Sequence, residues 1–277
     1  MNCITTCVTA DLYQYYIPTF VYSARKAMPG VAIKIFVQGK LDGTLRSIGG
    51  ADIVELDHDY PPCPSILRYL VGDFHFQDYD MVYFTDIDFV FLDHGDKDLF
   101  DYHKIIIAKN NTSYAGHRGP VRAKKYKWKT WEGKRTRIAG GAFMATRRWL
   151  FETRLMRTKT LEGVKKHGIR YREEDEVLLY NICAKSGLPT PELVGHFICG
   201  NKYNITYRDL HLGDFKFDKR WVNLPRMEKD FLTEENARKF RDLEKDSGWR
   251  HACAVAEKDP IVSLTLERAR AYVRRYN

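Results

Sequence analysis

The chain has 277 residues, of which 44% are hydrophobic and 29% are charged, and its formal net charge at pH 7 is +9. This composition is that of an ordinary globular protein, and no apolar run approaches the roughly 18 residues that cross a membrane. The positive charge predicts an anionic partner, namely nucleic acid, phosphate or an acidic membrane surface.

The first half of the chain alternates short apolar runs with amphipathic segments. This pattern predicts strands at Cys3–Thr9, Val31–Gln38, Asp52–Leu56 and Asp80–Thr85, and helices at Tyr15–Met28 and Pro64–Phe76. Strands separated by helical crossovers predict an α/β fold with a mostly parallel sheet that is covered by helices on both faces. Ligands of such sheets bind beyond the carboxyl ends of the strands.

The second half is less regular, and its pattern predicts a mixture of short strands and helices. We expect a strand at Ile105–Ala108, an apolar strand with two glycines at Ile138–Ala145, helices near Arg147–Met156 and Glu173–Lys185, strands within 193–200 and 204–213, and C-terminal helices at Glu234–Lys245 and Ile261–Tyr276. There is no internal repeat or clear linker, so we predict one domain over 1–277.

The six cysteines are scattered and form no C-x-x-C pair. This spacing indicates neither a disulfide framework nor a structural zinc site, and it is typical of isolated buried thiols in a reducing compartment. The N-terminal residues lead directly into a strand-like segment, "CITTCVTA", without a basic leader. We therefore expect a cytoplasmic protein.

The chain holds four D-x-D pairs, but only Asp86/Asp88 is bracketed by apolar runs, "MVYF" before it and "FVFL" after it. Buried carboxylates are normally paired or hold a metal, because burying an unpaired charge costs several kcal/mol. Carboxylate oxygens suit Mg²⁺ or Mn²⁺, which commonly bridge to phosphate oxygens. The alternative is a pair of surface carboxylates in a loop.

Three further motifs bear on this site. In "HLGDFK" the imidazole of His211 would shift the preferred ion towards Mn²⁺, and Lys216 can neutralise a diphosphate. The alternative is that His211 is an ordinary surface or core residue and not a ligand. In "RIAGGAFMATRRW" the glycines Gly140 and Gly141 indicate a bulge or a ligand close to the backbone. In "YREEDEVLLYNI" the acids either serve the helix dipole or bind a substrate.

These motifs, in this order, resemble the glycosyltransferases of GT-A fold, and most closely family 8, which includes glycogenin and the bacterial lipooligosaccharide galactosyltransferases. The resemblance covers the chain from Cys3 to about Trp221. It implies a Rossmann-like GT-A domain with C-terminal helices. Its nucleotide-binding half would span 1–120, its donor-sugar and acceptor half 138–225, and the C-terminal helices 230–277.

The resemblance also implies roles for individual residues. The opening strand and its loop would bind the nucleotide, and the late His-Gly-Lys motif would hold the diphosphate and the metal. The implied nucleotide and donor contacts are Thr9, Ala10, Asp11, Tyr13, Arg68, Asp86, Gly140, Gly141, Gly213 and Lys216; the metal ligands are Asp86, Asp88 and His211; and the catalytic residues are Asp175 and Glu174. Three departures stand out: the family usually has one more residue between the His and Gly, it usually has a Pro where Phe217 stands, and its usual Asp-Gln pairing in the acidic segment is replaced here by Glu174-Asp175.

The implied activity is transfer of a hexose from a UDP-sugar, UDP-glucose or UDP-galactose, to a glycan, lipid-linked or protein acceptor with Mn²⁺ or Mg²⁺ and with retention. The alternatives are an inverting GT-A transferase, a metal-dependent phosphohydrolase and a basic nucleic-acid-binding protein, of which the last would not explain the carboxylate pair. A nucleotide-sugar hydrolase and an inactive sugar-binding relative also stay open.

Two basic segments have several interpretations. Segment 118–137 holds nine Lys or Arg residues and one acid, interleaved with Tyr126, Trp128 and Trp131. It would close over the donor, hold an anionic or lipid-linked acceptor, or form solvated surface. The C-terminal segment "LERARAYVRRYN" would place four arginines around an apolar stripe of Leu266, Ala269 and Val273. Such a helix either lies on an anionic membrane surface or packs against the protein.

Overall fold

The computed structural model describes residues 1–56, 60, 64–93, 95, 98–116, 138, 140–168, 175–189, 209–212 and 234–274, apart from the side chains of Leu12 and His211. The predicted strand within 193–200 and the basic segment 118–137 lie outside these residues. So does Glu174.

The described strands form two sheets. Their bounds are β1 Asn2–Thr9, β2 Ala32–Gln38, β3 Asp52–Leu56, β4 Met81–Thr85, β5 Phe89–Val90, β6 Tyr114–Ala115, β7 Ala142–Thr146 and β8 Leu210–His211. A six-stranded sheet has the order β3-β2-β1-β4-β7-β6, and β5 pairs with β8. Strands β1 to β4 run parallel, whereas β7 is antiparallel to both β4 and β6. The predicted mostly parallel α/β sheet is confirmed.

Helices cover both faces of the large sheet. Their bounds are α1 Ile17–Ala27, α2 Pro64–Leu70, α3 Leu99–Asn110, α4 Arg147–His167, α5 Asp175–Lys185, α6 Glu234–Glu244, α7 Ser247–Ala256 and α8 Pro260–Val273, with 3-10 turns at Leu12–Tyr16, Gly43–Leu45 and Asp73–His75. One apolar core lies under α1, α3 and α6 to α8, and another lies under α2, α4 and α5. Strand β1 serves both, because Ile4 and Val8 face the first core while Cys3 and Cys7 face the second.

Several element boundaries differ from the predictions. The predicted helix Pro64–Phe76 ends at Leu70 and continues as the separate 3-10 turn. The strand prediction at Ile105–Ala108 is wrong, since these residues belong to α3. Asp98 caps α3 by accepting hydrogen bonds from two backbone N–H groups, so the helix begins before the apolar run. The apolar run is too short for its periodicity to distinguish a helix from a strand.

The C-terminal helices pack against the protein. In α8 the side chains of Leu266, Ala269 and Val273 are all buried in the core. Arg270 contacts Glu244 at 2.9 Å and Glu257 at 2.5 Å. The apolar stripe is therefore not available to a membrane, and the packing interpretation of this helix is the correct one. None of the described helices is long and apolar enough to span a bilayer.

Candidate active site

The end of β1 forms one side of the candidate site. Thr9 is the last residue of β1, and the backbone N–H of Ala10 donates a hydrogen bond of 2.9 Å to the end of β2. Asp11 then caps the following 3-10 turn by accepting from the backbone N–H of Tyr13 at 3.0 Å. The Tyr13 side chain is 38% exposed. The residues predicted to bind the nucleotide therefore lie at the carboxyl edge of the sheet, with an accessible aromatic ring.

Asp86 and Asp88 lie at this same edge. They follow β4, which is the parallel neighbour of β1, so both strands run towards this edge. Asp80, from another D-x-D pair, precedes β4 at the opposite edge and binds the N-terminal amine at 2.5 Å. The two pairs flanking β4 thus have different places in the fold, and only Asp86/Asp88 stands where an α/β sheet binds its ligands.

Arg68 joins Asp86 to Asp175. Its Nη1 lies 2.5 Å from Asp86 Oδ1 and its Nη2 lies 2.7 Å from Asp175 Oδ2. The Arg68 side chain is only 2% exposed, whereas the Asp86 and Asp175 side chains are 37% and 22% exposed. The structure thus brings together three predicted site residues from α2, the end of β4 and the start of α5, with the cation buried and the carboxylates accessible.

Burial and the neighbouring charges both shift the pKa values of Arg68 and Asp175. Burial opposes the charged form of Arg68, but Tyr69 and the two carboxylates raise the pKa of the guanidinium well above its ordinary value. Burial also raises the pKa of Asp175, and Arg68 counteracts that rise while Asp86 adds to it. Arg68 is therefore a fixed cation, and Asp175 is the carboxyl group of the cluster that binds a proton more readily than an ordinary aspartate.

Gly140 and Gly141 form the turn that precedes β7, and a carboxylate lies over each of them. A methyl group added at Gly140 would collide with the Asp175 carboxylate, and one at Gly141 would collide with that of Asp86. The sequence predicted these glycines within a strand, but the strand begins at Ala142. The backbone of this turn lies so close to the two carboxylates that a side chain at either glycine would displace one of them.

Two residues that the sequence analysis did not single out hold this turn. The Tyr69 hydroxyl donates to the Gly140 carbonyl, and the Thr85 hydroxyl donates to the Gly141 carbonyl at 3.0 Å. Burial raises the pKa of Tyr69 well above its ordinary value, so its hydroxyl keeps the proton that it donates. Each is adjacent in sequence to a predicted site residue, which is the only sequence signal that they offer.

A second buried arginine, Arg157 of α4, anchors the helix that carries Arg68. It donates hydrogen bonds to the carbonyls of Tyr69 at 3.3 Å and Val71 at 3.4 Å, and it contacts the carboxylate of Asp73. Its side chain is 3% exposed. Arg157 donates to carbonyls at the end of α2, where a helix has no intrahelical donors to offer. In the sequence it is one of many arginines and carries no distinguishing signal.

Strand β5 brings the late motif beside the carboxylate pair. Phe89 pairs with His211, and the backbone N–H of Leu212 donates to the Asp88 carbonyl at 2.7 Å. The backbone of "HL" therefore runs next to the D-x-D segment, although the two are far apart in sequence. The His211 side chain, Gly213 and Lys216 lie outside the described residues, so their predicted contacts stay predictions.

The chemistry of the two carboxylates fits the predicted divalent ion. Asp86 and Asp88 offer oxygen ligands of the kind that Mn²⁺ and Mg²⁺ take, and Asp88 is only 6% exposed. Among the described side chains, no three His, Cys, Asp or Glu residues form a metal-binding group. The predicted third ligand, the imidazole of His211, is not among those side chains. The strand pairing at Phe89 agrees with this ligand set, and the metal site stays a prediction.

Similar solved structures are glycosyltransferases. No family profile matches the chain, and a search of curated proteins finds no relative. Galactosyltransferase LgtC, in complex with donor and acceptor sugar analogues, is 15% identical with a TM-score of 0.43, covering 66% of this chain and 70% of that one. The apo-form glycosyltransferase GlyE of Streptococcus pneumoniae TIGR4 is 15% identical with a TM-score of 0.43, covering 67% of this chain and 43% of that one. Identities and TM-scores this low do not establish which reaction this chain catalyses, so its reaction has to be inferred from its own residues.

Proposed function

We propose that the chain is a metal-dependent glycosyltransferase of GT-A fold that moves a hexose from a UDP-sugar to a hydroxyl acceptor. One observation carries the proposal: buried Arg68 holds the carboxylates of Asp86 and Asp175 over a glycine turn, at the carboxyl edge of a mostly parallel sheet. This cluster combines a fixed cation, which a diphosphate requires, with an accessible carboxylate for the reacting sugar.

Breaking the bond between the sugar and the diphosphate moves negative charge onto the leaving group and positive charge onto the sugar. Arg68 is a preorganised cation that stabilises the first charge, and because it is buried it needs no reorganisation as the bond breaks. Asp175 contacts the other terminal nitrogen of the guanidinium. We assign to its carboxylate the role of stabilising the positive charge on the sugar. We assign the same role to the predicted Glu174.

The divalent ion would be held by Asp86, Asp88 and His211 and would neutralise the diphosphate as a Lewis acid. Asp11 and Tyr13 at the end of β1 would bind the uridine, and Gly140 and Gly141 would leave room for the donor sugar. For a retaining transfer, the acceptor hydroxyl adds to the sugar from the face of the departing diphosphate, and a phosphate oxygen takes its proton. UDP-glucose and UDP-galactose are the donors proposed.

The test is donor-dependent release of UDP by the purified chain, with a thermal-shift titration of nucleotide sugars in the presence and absence of Mn²⁺. Stabilisation by a nucleotide sugar that depends on Mn²⁺ identifies the donor, since a ligand of the native state raises its stability by mass action. We expect Asp88→Asn to lower the transfer rate on the order of a thousandfold, because several kcal/mol of charge stabilisation would be lost.

Asp80→Asn is the matched control, because Asp80 belongs to the D-x-D pair at the opposite end of β4 and its side chain is 66% exposed. It should leave UDP release unchanged. Near-normal turnover by Asp88→Asn would remove Asp88 from the mechanism. Release of inorganic phosphate would instead identify a phosphohydrolase, and release of UDP together with free sugar would identify a hydrolase. Binding of RNA or DNA with steep salt dependence and no response to Mn²⁺ would favour a nucleic-acid-binding protein.

A further inference from the structure

Three large apolar side chains are strongly exposed in α4 and near it. Phe151 and Leu155 of α4 are 79% and 65% exposed, and Phe74 in the turn after α2 is 70% exposed. Asp73, the neighbour of Phe74, contacts two arginines of α4, so Phe74 lies beside this helix. Contiguous exposed apolar side chains mark interaction surfaces more often than ordinary surface does.

The same helix is strongly basic. Helix α4 carries seven Lys or Arg residues and two Glu. Phe151 and Leu155 are four residues apart, so they share one stripe, and the exposed cations lie at about 40–80° to either side of it. These cations are Arg147, Arg148, Arg154, Lys159, Lys165 and Lys166. The stripe also contains Glu162, an exposed acid.

Intramolecular ion pairs leave much of this charge accessible. Arg148 contacts Glu152 at 2.6 Å and Arg154 approaches Asp73 at 3.6 Å, yet the two arginine side chains remain 68% and 72% exposed. Exposed pairs of this kind are weak and are easily exchanged for another anion. The outer face of α4 therefore offers two exposed apolar side chains, Phe151 and Leu155, between two rows of exposed cations, with Glu162 as an acid within the stripe.

We propose that this face of α4 docks on the surface of an anionic lipid bilayer. Lysine and arginine attract acidic headgroups, while Phe151 and Leu155 insert at the boundary between headgroups and acyl chains. Charge argues against a second copy of the chain as the occupant, since two such helices would repel each other. An aliphatic side chain, Leu155, at the centre favours lipid over nucleic acid, whose bases stack on aromatic rings. This surface is independent of the proposed activity.

The test is flotation of the full-length chain with vesicles of phosphatidylcholine alone and of phosphatidylcholine mixed with phosphatidylglycerol. We expect binding to the anionic vesicles that weakens as salt is added, and little binding to the neutral vesicles. The double variant Phe151→Ser/Leu155→Ser should reduce partitioning by about tenfold or more, because two inserted apolar groups are lost. The matched control is Ile261→Ser/Leu264→Ser in α8, whose side chains are 49% and 42% exposed.

The outcomes separate the possible occupants. Retained anionic binding by the control and loss by the Phe151/Leu155 variant, with both variants melting like the wild-type chain, supports the proposal. Equal binding by both double variants overturns it, as does failure of the wild-type chain to bind anionic vesicles. A vesicle-free dimer that the Phe151/Leu155 variant abolishes would show a self-interface instead. Lys159→Glu/Lys166→Glu provides a second variant, which should lose binding through charge alone.

Discussion

Replacing Arg68 with methionine tests the cluster at the centre of the candidate site. The substitution keeps an apolar stem like that of the arginine but leaves Asp86 and Asp175 without their shared cation. Removing one partner of a fully buried ion pair costs about 3–5 kcal/mol, but the two carboxylates left behind are 37% and 22% exposed, so solvent screening reduces the cost here to about 1–3 kcal/mol. We expect the free energy of unfolding, measured by urea denaturation, to fall by about this amount.

A double-mutant cycle separates the electrostatic cost from lost packing. Asp175→Asn should rescue part of the Arg68→Met loss, with a coupling of about 1–3 kcal/mol, since it removes one of the two unpaired charges.

The stability deficit of Arg68→Met should also depend on pH. Without Arg68 the folded-state pKa of Asp175 rises further, so the carboxyl contributes stability at low pH that is lost as the pH rises through that pKa. The Arg68→Met deficit should therefore grow from about pH 4 to about pH 7. A deficit below about 1 kcal/mol that does not vary with pH would refute this account of the cluster.

Three further predictions concern the support of the site and the stability of the fold. Gly141→Ala should lower donor-dependent UDP release on the order of a hundredfold, because its methyl group displaces Asp86, whereas Gly163→Ala, where an added methyl meets nothing within 4 Å, should not. Arg157→Met should reduce the free energy of unfolding by about 3 kcal/mol in urea denaturation, and a loss under about 1 kcal/mol would contradict its anchoring role. Burial and the nearby Lys34 lower the pKa of His75, so its neutral form stabilises the fold above pH 6.5 and that stability is lost as the pH falls. His75→Gln should flatten the pH dependence of unfolding between about pH 7 and pH 5, and an unchanged slope would exclude His75 as the cause.

The order of the regular elements follows closely from local patterns. Strand β3 has the predicted bounds, and β1, β2 and β4 differ from theirs by one residue at an end. These strands are apolar runs bounded by turn residues, so their period and length are local properties of the chain. Helix α3 shows the limit of such patterns, because its short apolar run fits either a strand or a helix and a capping aspartate earlier in the chain decides between them.

The C-terminal helix and α4 show what local patterns cannot decide. Both helices have apolar residues with basic neighbours, and for α8 the sequence left membrane contact and packing against the protein open. In the structure the apolar stripe of α8 is buried, whereas Phe151 and Leu155 of α4 are exposed. Which stripe faces solvent depends on where each helix is placed against the sheet, and this placement involves contacts with residues far away in sequence.

The sequence by itself determined the strand and helix order and pointed to a carboxylate pair at the end of a buried strand, since both are written in short-range patterns of apolar and acidic residues. Only the tertiary structure showed that Arg68 holds Asp86 and Asp175 together, that the glycine turn makes room for both carboxylates, and that Arg157 anchors the helix that carries Arg68. These contacts join segments from different parts of the chain. The burial that strengthens the attraction between their charges arises only when the helices pack on the sheet.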